Sequence, residues 1–160
     1  MGRMKLAALL AVLSIFFAGS VIAQQMPNPY GSNINLESAK KVAAAAAQEA
    51  VNIKVNAVIA VVDTGGHLVY LERFDVVQWG SIEVAMHKAK SSAGFKRPTK
   101  AFESLIADGK TMYLTLDGII ALEGGVPIIQ DGKIIGAVGV SGGTSAQDGQ
   151  IAQAGAGVIK

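Results

Sequence analysis

Residues 124–143 read GGVPIIQDGKIIGAVGVSGG, with seven glycines in twenty positions. Two short apolar runs, 126–130 and 133–140, flank the pair Asp131-Gly132. An Asp-Gly pair between apolar runs predicts a tight hairpin, because a type I′ turn needs positive φ at both central positions. The second run leaves through Ser141-Gly142-Gly143, where bare backbone lets a ligand or another segment come close. The C-terminal half is therefore expected to carry antiparallel pairing, and the rest of the chain must cover that hairpin.

Upstream, residues 56–62 form a β-rich apolar run and residues 67–73 alternate through Leu68 and Tyr70. The turn Asp63-Thr64-Gly65-Gly66 between them predicts a second hairpin. Residues 36–51 are alanine-rich, with Leu36, Ala39, Val42, Ala43, Ala46 and Ala50 at helical spacing behind a capping Asn35. Residues 79–95 read as a helix with Ile82, Ala85, Met86, Ala89 and Ala93 on one face, broken by Lys96-Arg97-Pro98. Thr99 is a cap candidate for a short helix ending near Gly109, residues 119–122 suit a strand, and Thr144 or Ser145 can cap a final helix over 146–159. Strands arriving as adjacent hairpins between helices predict an α+β domain with an antiparallel sheet.

The first 23 residues do not belong to that domain. Arg3 and Lys5 precede an apolar stretch, 6–18, and Val21-Ile22-Ala23 places small residues at the −3 and −1 positions of a cleavage site before Gln24. This is the pattern of a secretory signal peptide, and it predicts a periplasmic or secreted protein with no stable membrane insertion after cleavage. Residues 24–33, with Pro27, Pro29 and Gly31, read as an extended tail, and 34–160 as the folded domain. Without Arg3 and Lys5, twelve of the fourteen cations remain against twelve acidic side chains. A neutral domain with no basic stripe offers no footprint for nucleic acid. With no cysteine in the sequence, disulfides, thiolate metal sites and cysteine nucleophiles are excluded.

His67, opening a strand after Gly65-Gly66, and His87, on the helical row Glu83–His87–Lys90, are the two histidines. Their spacing matches no zinc-protease motif. A single imidazole suits haem better than zinc, because the porphyrin already supplies four ligands. Gly139-Val140-Ser141-Gly142-Gly143 satisfies G-x-S-x-G in letters, but no histidine follows Ser141 to act as base. Ser141-Gly142-Gly143 is instead a candidate to present amides to a carboxylate ahead of the last helix. Arg73, Asp75 and Lys88 form a second candidate group for holding a carboxylate, and Lys96 and Arg97 add cations at a helix end.

The segments AVVDTGGHLVYLERFD (60–75), IEVAMHKAKSSAGFKRPT (82–99) and GGVPIIQDGKIIGAVGVSGGTSAQD (124–148) resemble the GlcG/HbpS, or haem-degrading domain, family, which also supplies the C-terminal part of PduO-type cobalamin adenosyltransferases. The resemblance spans about residues 34–159 and departs at Asp75-Val76-Val77, where many members read D-G-A. It implies an α+β, profilin/PAS-like fold with a five-stranded antiparallel sheet and flanking helices, assembly into homo-oligomers, and haem binding. The expectation is an exported, oligomeric haem-binding protein for haem capture, storage or sensing. His67, ranked ahead of His87, would be the metal ligand. Arg73, Lys88, Lys96 or Arg97 would meet the propionates, and Ser141 would supply amides. No set of catalytic residues argues for haem degradation. The alternatives are a non-haem module for an organic acid or corrinoid, and a structural interaction subunit.

Overall fold

The computed structural model describes residues 27–160. The proposed signal peptide and the first residues of the tail lie outside the described residues. From Pro27 onward the chain forms α1 (Leu36–Asn52), β1 (Val58–Asp63), β2 (Leu68–Arg73), α2 (Ser81–Phe95) and α3 (Lys100–Ala107). A 3-10 turn (Thr111–Thr115), β3 (Gly125–Gln130), β4 (Lys133–Ser141) and α4 (Ser145–Ala156) follow. No described helix is long and apolar enough to cross a membrane.

The strands form one antiparallel sheet in the order β2-β1-β4-β3. Both expected hairpins are present. Asp131 (φ 48°) and Gly132 (φ 72°) hold the positive φ pair that the β3–β4 turn requires. The two hairpins join through β1 and β4, with Val61 opposite Val138 and Ala60 opposite Gly139. These central strands are buried on both faces, which is why they read as continuous apolar runs rather than as alternations.

Side-chain parity divides the core. Ile59, Val61, Val138 and Val140 face α1 and α4, joined by Ala39, Val42, Ala43, Ala46, Ala50 and Ile151. Val58, Ala60, Val62 and Ala137 face α2 through Ala85, Ala89 and Ala93. Each fully buried Val or Ile contributes about 1.5–3 kcal/mol relative to exposure. The α2 layer fits closely because small residues meet small residues. A Cβ on Gly139 would collide with the Ala85 carbonyl and the Ala89 amide.

Four expectations are corrected. Among the described residues the sheet has four strands, not five. Residues 119–122 pair with no strand, because side chains satisfy backbone groups within and just after them. Ile120 N–H donates to Ser91 Oγ (3.3 Å), Glu123 N–H to the Glu103 carboxylate, and Thr99 Oγ1 donates to the Leu122 carbonyl (2.7 Å). Thr99 therefore does not cap α3 with its side chain; its hydroxyl accepts from Gly125 N–H (2.9 Å) instead. Leu36 does not join the buried face of α1 and is half exposed. The caps at Asn35 and Thr144 form as expected, the latter as a capping box with Gln147.

Candidate functional site

The β1–β2 turn is organised by Asp63. Its Oδ1 accepts from Gly65 N–H and His67 N–H, both at 2.9 Å, an Asx-type arrangement that folds the next four residues back over the carboxylate. The His67 ring then lies against the same group, with Nδ1 3.2 Å from both carboxylate oxygens. Gly65 makes this possible, since a Cβ there would stand 2.8 Å from the His67 ring. Burial by itself would raise the Asp63 pKa, but the His67 and Gly65 amides and the imidazole outweigh it and hold the carboxyl below its ordinary range. Asn33 braces the turn, donating from Nδ2 to Asp63 Oδ2 (3.4 Å) and accepting at Oδ1 from Thr64.

This gives His67 the disposition of a metal-ligating imidazole. The carboxylate fixes the ring through Nδ1, and Nε2 has no protein partner among the described residues. The His67 side chain is 82% exposed while Asp63 is only 15% exposed, so the orienting group is sheltered and the ligating edge is open. A carboxylate behind a histidine fixes the ring and its tautomer for a metal at the other nitrogen.

His67 shares a pocket of about 350 Å³ with Thr64, Gly65, Gly66, Lys90 and Gly94. Three of those residues have no side chain, which leaves an open floor suited to a flat ring. His87, exposed on α2, lines a separate pocket of about 360 Å³ with Lys90, Gly118 and Ile119. Lys90 thus borders both histidines. Both pockets lie at the small end of the ligand-site range of about 300–1,000 Å³, so a porphyrin would be only partly covered by one chain.

The other predicted residues are dispersed. Arg73 lies at the far end of β2, in a pocket with Asn56, Phe74, Asp75 and Val76, and forms no ion pair with Asp75 among the described residues. Lys96 places its ammonium 4.2 Å from the centre of the Tyr30 ring. Arg97 donates from Nε to the Phe95 carbonyl and lies over Phe102.

Lys88 and Ser141 are interior residues and do not reach a surface ligand. Lys88 Nζ donates to Asp148 Oδ2 (2.7 Å) and to the Val140 carbonyl (3.0 Å), with both side chains under 5% exposed. Ser141 Oγ donates to Ser81 Oγ (3.0 Å). The amides expected to attract an external carboxylate already meet an internal one, because Gly143 N–H donates to Asp148 Oδ1 (2.9 Å). Sequence reasoning missed Asp63, Lys90 and Asp148. The Asp-Thr-Gly-Gly-His spacing was a usable signal for the first. Lys88, three residues after the apolar Ala85, was a signal that this lysine needs a buried acid.

Comparison with known proteins identifies the family and the fold. The family described as "Haem degrading protein HbpS-like" matches residues 34–157. Protein GlcG of Escherichia coli (strain K12) is 41% identical over 108 residues, covering 68% of this chain and 81% of GlcG. The crystal structure of HbpS superposes with a TM-score of 0.73 at 30% identity, covering 88% of this chain and 99% of HbpS. The crystal structure of a PduOC:heme complex superposes with a TM-score of 0.71 at 26% identity, covering 80% of this chain and 96% of PduOC.

Proposed function

The chain belongs to the HbpS-like family, and from that premise we propose that it is an exported haem-binding protein whose iron ligand is His67. The observation that carries this reading is the Asp63–His67 pair, a sheltered carboxylate holding an exposed imidazole by Nδ1 at 3.2 Å. The side-chain-free floor beside it, from Gly65, Gly66 and Gly94, gives a planar macrocycle room to lie against the protein. The donor set suits haem: one imidazole completes the coordination of an iron whose equatorial ligands the porphyrin provides. A zinc or calcium site would need more protein ligands, and no group of three or more His, Asp or Glu side chains comes together among the described residues.

The role is capture, storage or sensing of haem outside the cytoplasm. Export rests on the signal-peptide pattern of residues 1–23 and is tested by N-terminal sequencing of the mature protein, which should begin at Gln24. Oligomer formation draws support from the large apolar side chains left exposed at Trp79 (80%), Val76 (77%) and Met112 (71%). Sedimentation equilibrium tests it. Haem binding is tested by titrating the purified protein with hemin and following the Soret band. A saturable shift supports the reading, and a band that never departs from that of free hemin refutes it.

A further inference from the structure

We propose that Lys90 holds a propionate of the porphyrin ligated by His67, so that this site selects free-acid porphyrins over esterified ones. The assignment rests on reading the His67 pocket as the haem site. Lys90 is the cation that the fold delivers to that pocket.

Lys90 is the cation among the residues lining this pocket, and the cations weighed for the propionates are engaged elsewhere. Lys88 is buried on Asp148, Lys96 rests on the Tyr30 ring, Arg97 is bonded to a backbone carbonyl, and Arg73 borders a different pocket. Lys41 and Lys100 are paired with Glu37 and Glu123. Lys90 forms no ion pair among the described residues, and residues 1–26 contain no Asp or Glu that could supply one. It is exposed on α2.

Position adds to charge. The stem of Lys90 lies beside the β1–β2 turn, its Cγ 3.5 Å and Cβ 3.9 Å from where a side chain on Gly66 would begin. Lys90 therefore stands next to the His67 turn as an exposed residue. Lys90 lines the same pocket as His67, Gly65, Gly66 and Gly94, so a carboxylate on a ring held there would have this ammonium beside it. A lysine ammonium meets a carboxylate as a charge-assisted hydrogen-bond donor. Because this contact is solvent-exposed, its effect is modest and salt-dependent.

The test titrates the protein and Lys90→Gln with hemin and with hemin dimethyl ester, at low and high salt, following the Soret band. Comparing variant with wild type for each porphyrin cancels the intrinsic difference between the two. Lys90→Gln is expected to bind hemin about fivefold more weakly at low salt, to bind the ester unchanged, and to keep the wild-type Soret maximum because His67 is untouched. Loss of hemin affinity that is equal for the ester, or no loss for either, overturns the Lys90 assignment and leaves haem binding standing. Absence of a Soret shift with both porphyrins in the wild type overturns the haem reading and this assignment together.

Discussion

The Lys88 ammonium of α2 meets the Asp148 carboxylate of α4 at 2.7 Å, although the two helices pack on opposite faces of the sheet. The link passes the start of β3, where Gly124 has φ +130° and where a Cβ would stand 2.9 Å from Lys88 Nζ. Asp148 spends its second oxygen on Gly143 N–H, so one carboxylate ties α2, the exit of β4 and the first turns of α4 together.

Breaking this pair from one side leaves a buried charge without its partner. Lys88→Ala is expected to cost ~3–5 kcal/mol in denaturant unfolding. Combining Lys88→Met with Asp148→Asn removes both charges while an amide oxygen still accepts from Gly143, and should recover most of that loss. A double variant no more stable than Lys88→Ala would show that the charges themselves hold the layers.

Close packing of α2 on β4 makes a second prediction. Gly139→Ala sets a methyl against the backbone of Ala85 and Ala89, neither of which can rotate away. The helix must lift, at a cost of ~1–3 kcal/mol or more. Thermal melting should show a clear drop. An unchanged melting temperature would mean that α2 sits farther from the sheet than described.

The turn geometry was legible in the letters. Asp131-Gly132 and Asp63-Thr64-Gly65-Gly66 each announced a hairpin, because positive φ and Asx hydrogen bonding are properties of a few adjacent residues. The alanine row of α1 was legible for the same reason. Residues 119–122 were not, because their backbone is satisfied by Ser91, Thr99 and Glu103, partners some twenty to thirty residues away. The site divides the same way. His67 was visible as an exposed-looking histidine after two glycines. Lys90 became visible only when the β1–β2 turn came down on α2, and Lys88 left the list of surface cations once Asp148 came within reach.

Acid should weaken the Asp63 contribution in a defined direction. Its carboxyl is held below the ordinary value of 3.8, so the stability it adds is fully present above that value and is lost as pH falls through the lowered one. The stability difference between the protein and Asp63→Asn should therefore shrink steadily from about pH 5 downward. Urea unfolding across that range checks this. A difference that grows with acid would contradict the hydrogen bonding described at the turn.

Gly94 offers a way to close the pocket without harming the fold. A Cβ there meets no atom within 4 Å, and the position is exposed on α2. Gly94→Leu should leave stability unchanged or raise it by roughly 0.5–1 kcal/mol through helix propensity. The same side chain would occupy the floor beside His67, so hemin affinity should fall by about tenfold or more. Calorimetry and hemin titration on one preparation separate the two effects, and an unaffected hemin affinity would place the ring elsewhere.

The central claim is that His67, oriented by Asp63, is the iron ligand. The most direct measurement is a hemin titration of the purified protein beside His67→Ala, with the Soret maximum and the saturation point read for each. The wild type is expected to saturate with a shifted Soret band, and His67→Ala to lose the shift while keeping its far-ultraviolet circular dichroism. An identical shifted band in the folded variant would contradict the assignment and move the ligand away from the β1–β2 turn.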